Sequence, residues 1–198
     1  MRKWVRKGAW LAAALVLCAG PVVAQTRLRA WNIHPEGYPV TEAMKSFAQQ
    51  VAKGTQGRYQ IEVHSNATLG DQPKAVQMLK SGEIDLAEFS SGPLSDAVPG
   101  IKVLNLPFLF TDSAHMFRHL DGKLGERFST NLKNAGFVVL GWYDGGARSF
   151  YCAKRAPANI RDLAGASIRV QQSEIYKEMV TLLDAKPVAL PFKEVLAG

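Results

Sequence analysis

The sequence is poor in cysteine, with two in 198 residues, which excludes a small disulfide-stapled scaffold. It has no internal repeats and no low-complexity tracts, so a solenoid and wholesale disorder are both set aside. It has no apolar run of the roughly 20 residues that a spanning helix needs, which excludes a multispan membrane protein. Catalytic signatures are missing as well. There is no GxSxG, GxGxxG, GxxxxGK[ST], HExxH or CxxC, and no pair of carboxylates stands out as an acid–base couple. The histidines do not fall at a metal-ligand spacing. His115 and His119 are one helical turn apart, but beside Arg118 and Asp121 they read as a solvated helix surface. No cofactor and no metal are implied, and the chain reads as a non-enzyme.

What is present suits a globular protein with a sizeable core: 47% of residues are hydrophobic and 21% charged. The net charge of +7 points to an acidic partner at first sight. However, Arg2, Lys3, Arg6 and Lys7 stand ahead of an apolar run over 8–20, and Pro21-Val22-Val23-Ala24 follows. A basic start, a short apolar run and a small-residue site describe an export signal, cleaved after Ala24. Leu17 before Cys18 argues against lipid attachment there. Beyond residue 24 the balance is 20 basic to 17 acidic side chains, too even to argue nucleic-acid binding. Cys152 is then alone, and the expectation for it is a small buried hydrophobe.

Along the chain, 28–33 reads as a strand. A helix capped by Thr41 follows, with Met44, Phe47, Ala48 and Val51 on one face. Tyr59, Ile61 and Val63 alternate as a strand. Asp71 caps a helix that Gly82 ends, and 84–89 reads as a third strand. Strand, helix, strand, helix, strand implies a parallel sheet covered by helices. Residues 90–111 read as irregular, with room for one short helix. Helical stripes at Met116, Phe117, Leu120 and at Leu124, Phe128, Leu132 come next. The apolar stretch 137–143 reads as a strand buried on both faces. Asp144-Gly145-Gly146 is a flexible break, where the chain crosses between domains. Beyond it lie strands at 149–153 and 167–171, a helix capped by Ser173, a strand at 188–190, and a helix starting at Pro191. The expected division is a signal over 1–24, a first α/β domain over 25–146, and a partial second one over 147–198.

Two arginines carry the chemistry. Arg169 closes a strand just before a helix, where open α/β sheets bind ligands and free helix N–H groups favour anions. A guanidinium there can grip a carboxylate with two parallel hydrogen bonds. The alternative is an arginine paired with a neighbouring acid such as Glu174. Arg148 follows the glycine break at the mouth of any cleft between domains. Trp142, Tyr143, Phe150 and Tyr151 around it either wall that cleft or belong to the core.

Several motifs in this order resemble the solute-binding proteins of TRAP (tripartite ATP-independent periplasmic) transporters. They are Leu69-Gly70, Leu79-Lys80-Ser81-Gly82-Glu83-Ile84-Asp85, Leu106-Pro107-Phe108-Leu109-Phe110, and Leu140-Gly141-Trp142 running to Gly146-Ala147-Arg148. Asp162-Leu163-Ala164-Gly165-Ala166-Ser167-Ile168-Arg169-Val170 and Pro191-Phe192-Lys193-Glu194-Val195 complete the set. The resemblance implies a two-domain, type II-like periplasmic architecture with its second domain incomplete. It implies a monomer that closes on a small organic acid, such as a dicarboxylate, and hands it to TRAP-type membrane permease subunits. A binding protein of an ATP-driven importer or a periplasmic enzyme are the alternatives. It also assigns ligand-facing roles: Arg169 and Arg148 to the carboxylate, Gln172 and Phe192 to the pocket, and Ser90 and His34 to the loops after the third and first strands. The chain departs from the family in carrying Gln171 where proline is common. Members of the family usually run on for over a hundred further residues, which implies that this chain stops inside a domain.

Overall fold

In the computed structural model, residues 24–152 and 156–195 are described. The expected export segment, apart from Ala24, falls outside them, as do the last residue of the expected 149–153 strand and Leu196. No helix among the described residues is long and apolar enough to cross a membrane.

Strand β1 (Thr26–Trp31) leads into helix α1 (Pro39–Gly54) and strand β2 (Tyr59–His64). Helix α2 (Gln72–Ser81) and the short strand β3 (Leu86–Ala87) follow. The sheet has the order β2-β1-β3 and is parallel throughout. Thr26 to Trp31 run opposite Tyr59 to His64, and Ala30 and Trp31 meet Leu86 and Ala87. This is the parallel, helix-covered arrangement that the alternation of patterns implies. Helices α3 (Ser91–Ala97), α4 (Ser113–Leu120) and α5 (Lys123–Asn134) come next, with a 3-10 helix over Pro99–Asn105 between α3 and α4. A second parallel sheet pairs β4 (Ser167–Val170) with β5 (Lys186–Ala189) around helix α6 (Glu174–Thr181), and a 3-10 turn over Phe192–Glu194 follows β5.

The first sheet packs on α2 through Trp31, Ile33, Ala75, Met78 and Ile84. Trp31 is wholly buried, and its indole N–H donates to the Gly70 carbonyl at 3.0 Å. Truncating a buried side chain of that size costs about 3–5 kcal/mol. A second cluster joins Val76, Val98, Ile101, Leu120, Phe128, Leu132 and Phe137. The β4–β5 unit has a smaller core of Val170, Tyr176, Val180 and Ala185. It docks on the first unit where α6 meets α3. A Cβ on Gly92 would lie 2.3 Å from the Tyr176 ring, so only glycine lets the two helices come this close. The Ser173 hydroxyl donates to the Gly92 carbonyl (2.9 Å), and the Tyr176 hydroxyl donates to Asn105 (2.8 Å).

Local signals placed some boundaries well. The Asp71 carboxylate accepts from the Lys74 N–H, and Gly82 ends α2 with φ 75°. Others yield to tertiary contacts. Thr41 does not cap α1, which starts at Pro39; its buried hydroxyl bonds Asn32 and the His34 carbonyl instead. Proline at the first position supplies a fixed φ and lacks the N–H that would go unpaired. Ser173 does precede α6, but its hydroxyl goes to α3 rather than to its own helix. The third strand shrinks from 84–89 to two residues, because the Glu83 and Ile84 N–H groups bond back to Met78. Residues 90–111 hold two helical segments rather than one. The last strand is 186–189, and Pro191 precedes a 3-10 turn rather than opening an α-helix.

The largest correction concerns 137–143, which forms no strand and is not buried on both faces. Phe137 is buried and Val139 packs on the same cluster, whereas Val138 and Leu140 are exposed at 77% and 72%. The alternation is that of a strand, but no neighbouring strand hydrogen-bonds to it among the described residues. Residues 149–152 likewise belong to no strand, and Cys152 is exposed rather than buried.

Candidate functional site

Because both sheets are parallel, each gathers the C-terminal ends of its strands along one edge. The segments leaving those ends touch each other. The Gln171 amide, just past β4, donates to the Ser90 hydroxyl past β3 at 3.1 Å. Phe192, past β5, sets its edge on the ring of His34, past β1, with centroids 5.6 Å apart. The two edges therefore meet, with Ser90 and His34 on one side and Gln171 and Phe192 on the other.

Arg169, the residue before the end of β4, is half-buried. Its Nε and Nη2 donate to the Leu190 carbonyl at 3.2 and 2.8 Å. This settles the alternative raised by its neighbour in sequence: Glu174 pairs with Lys177 at 2.7 Å, and no ion pair among the described residues includes Arg169. Burial depresses the guanidinium's pKa; nearby Tyr151 opposes that effect, and the like charge of Arg148 adds to it. Both influences that disfavour its charge would be relieved by an anion. Arg148 donates from Nη2 to Gln171 Oε1 at 2.9 Å and lies over the Tyr176 ring, 5.2 Å from its centroid. That ring belongs to the buried contact between α6 and α3, so Arg148 is aimed by the core itself.

Ser90 is tied into the same chain of bonds. Its hydroxyl oxygen accepts from Gln171 and from Gln72 (3.3 Å), while its N–H donates to Gln72 at 2.8 Å. Both lone pairs are occupied, and the hydroxyl proton has no acceptor among the described residues. Gln172 reaches the other way, its amide donating to Asp71 at 2.9 Å. Sequence reasoning treated Gln171 only as a departure from a pattern. In the structure it is the link between Arg148 and Ser90, which a proline could not be.

On the facing edge, the His34 ring stacks on Tyr38 at 4.1 Å, and its Nε2 stands 3.8 Å from Glu88 Oε2. Burial lowers the His34 pKa and raises that of Glu88 to about 7. Glu88 was passed over in the sequence, where it is one acid in a short strand pattern. Its only signal there is a charge in a run that otherwise reads as core. Elsewhere, a hollow of about 340 Å³ between α3 and α5 is lined by Ala97, Val98, Pro99, Gly100, Asn131, Asn134 and Ala135, with no charged side chain. It is no rival as an anion site. Among the described residues, no group of three or more His, Cys, Asp or Glu is placed to hold a metal.

The arrangement can hold an anion by a two-pronged guanidinium grip, with a second positive charge and a hydroxyl donor beside it. A family model described as bacterial extracellular solute-binding protein, family 7, matches residues 32–198. A solute-binding protein of Chromohalobacter salexigens is 36% identical over 98% of this chain and 58% of its own length. The TRAP periplasmic solute-binding protein of Roseobacter denitrificans, solved with β-D-glucuronate, superposes with a TM-score of 0.83 at 38% identity, over 86% of this chain and 56% of that one. The corresponding protein of Xanthobacter autotrophicus, solved with β-D-galacturonate, gives 0.83 and 38%, over 86% and 57%. The chain thus spans little more than half the length of these relatives. It carries in part their two-domain, type II-like fold, as its motifs imply. The matched family and these relatives are transport proteins that bind solutes, not enzymes.

Proposed function

From the premise that this chain belongs to family 7 of the bacterial extracellular solute-binding proteins, we propose that it captures a small organic acid outside the cytosol and delivers it to a TRAP-type permease. Arg169 grips the carboxylate and Arg148 adds a second charge. Ser90 adds a hydroxyl donor, Gln172 borders the site with its amide held by Asp71, and His34 and Phe192 wall the pocket. The observation that carries this reading is the arginine pair: Arg169 in β4 and Arg148 in the irregular segment beside it, both held by neutral acceptors and, among the described residues, neither in an ion pair with a carboxylate. The acid is a hexuronate. Two relatives at 38% identity are described with glucuronate and galacturonate bound, which supports that class for this chain.

Residues 25–146 and 147–198 act as two units, following export and cleavage after Ala24, and the protein works as a monomer. Closure turns about Gly145-Gly146. Asp144 holds that turn by accepting from the Gly146 N–H at 2.7 Å, and Gly146 has φ 82°, which favours glycine. Closing the cleft buries the ion pair, which is favourable only because several donors converge on the carboxylate.

Titration calorimetry with D-glucuronate tests this reading. Arg169→Ala should weaken binding at least tenfold, about 1.4 kcal/mol. Unchanged affinity in that variant removes the proposal.

A further inference from the structure

Across the cleft from the arginines, His34 and Glu88 face each other with side chains only 15% and 12% exposed. At 3.8 Å they are too far apart for a hydrogen bond. His34 Nδ1 and Glu88 Oε2 are both buried, and neither has a hydrogen-bond partner among the described residues. Folded proteins rarely leave such atoms unpaired, since each costs about 1–3 kcal/mol. Two of them side by side, at the strand ends where the ligand is expected, indicate atoms waiting for a partner that is not protein.

The position is built rather than incidental. Tyr38 stacks on one side of the His34 ring, and Phe192 from the other unit meets it edge-on. Phe192 lies two residues beyond Leu190, whose carbonyl holds Arg169. The His34–Glu88 pair is thus tied to the arginine grip through one short segment. Its chemistry differs from that of the grip. Burial pushes both side chains toward their uncharged forms. A neutral carboxyl and a neutral imidazole each offer a donor and an acceptor, which is what a hydroxyl group requires. A second carboxylate, by contrast, would find no cation there.

We propose that Glu88 and His34 form the half of the ligand site that reads hydroxyl groups, and that they select sugar acids over acids carrying carboxylates alone. This rests on the arginine reading above and adds the basis of selection.

The test is calorimetry with two probes, D-glucuronate and the hydroxyl-free dicarboxylate glutarate. Glu88→Met keeps the side chain's length and removes both oxygens. His34→Phe keeps the aromatic stack and removes both nitrogens. Each variant should lower the ratio of glucuronate to glutarate affinity at least tenfold, with its cooperative thermal transition retained. If either variant does not fold, the other still reads the ratio. A ratio unchanged in a folded variant, while Arg169→Ala still weakens binding at least tenfold, overturns this inference and leaves the anion grip standing. A wild-type chain that binds neither acid, or an Arg169→Ala variant that binds both normally, overturns the anion reading and this inference with it.

Discussion

The two walls of the cleft treat polar groups in opposite ways. On the β4–β5 side, Arg169 is half-buried and Arg148 exposed, and both lean on neutral acceptors, the Leu190 carbonyl and Gln171 Oε1. Their charge is therefore held in place without being cancelled. On the β1–β3 side, Glu88 and His34 are more deeply covered, and each keeps a polar atom without a hydrogen-bond partner among the described residues. A charge that keeps some contact with water and is aimed by neutral partners stays available to an anion. A carboxyl buried without a cation drifts toward its uncharged form and suits an uncharged partner. One cleft thus offers two chemistries, set by depth of burial acting on groups of different acidity.

The largest effect that could break this contrast is a pH dependence. Glu88 sits at about 7 in the fold against 4.5 when unperturbed. Between those values the unfolded chain has released the proton and the folded one has kept it, so stability falls as pH rises through the window. The full span amounts to about 3 kcal/mol. His34 acts in the other direction, because its lowered pKa removes stability as pH falls below 6.5. Comparison with Glu88→Gln isolates the carboxyl. Denaturant unfolding from about pH 4.5 to about pH 8 should show the wild-type disadvantage growing by about 3 kcal/mol. A flat difference would mean that Glu88 is better solvated than its burial implies, and the two walls would no longer differ.

A smaller effect concerns what holds the walls together. In Gly92→Ala the new methyl meets the Tyr176 ring at 2.3 Å and forces α3 and α6 apart. The expected loss is about 2 kcal/mol, or about 5 °C in thermal midpoint. The smallest effect sharpens the arginine side. Arg148→Ala should weaken D-glucuronate about tenfold, or 1.4 kcal/mol. Arg148→Lys should recover part of the loss, since the charge returns without the planar fork. Full recovery would show that charge alone matters there and that the bond to Gln171 does not.

Comparison of two extended segments shows what was legible in the sequence and what was not. Residues 26–31 and 137–143 both carry strand patterns. The first lies between β2 and β3 and becomes the centre of a sheet, while the second packs Phe137 and Val139 inward and pairs with nothing among the described residues. Alternation is local, but a ladder needs a neighbour whose position is not local. The caps divide in the same way. Asp71 was readable because its acceptor and the N–H it serves are three residues apart. Thr41 and Ser173 were misread because their hydroxyls serve other elements. In the site, Arg169 was visible as a charge closing a strand before a helix. Glu88 was not, because its significance comes from being covered and from facing His34.

By itself the sequence determined the parallel α/β alternation, the caps at Asp71 and Gly82, and an arginine at a strand's end, since each rests on contacts within a few residues. Only the tertiary structure decided that Gln171 ties Arg148 to Ser90, that Glu88 and His34 meet unpaired beneath Phe192, and that 137–143 stays outside a sheet. The physical reason is that desolvation and strand pairing are properties of what distant parts of the chain bring to one place. No local pattern records them.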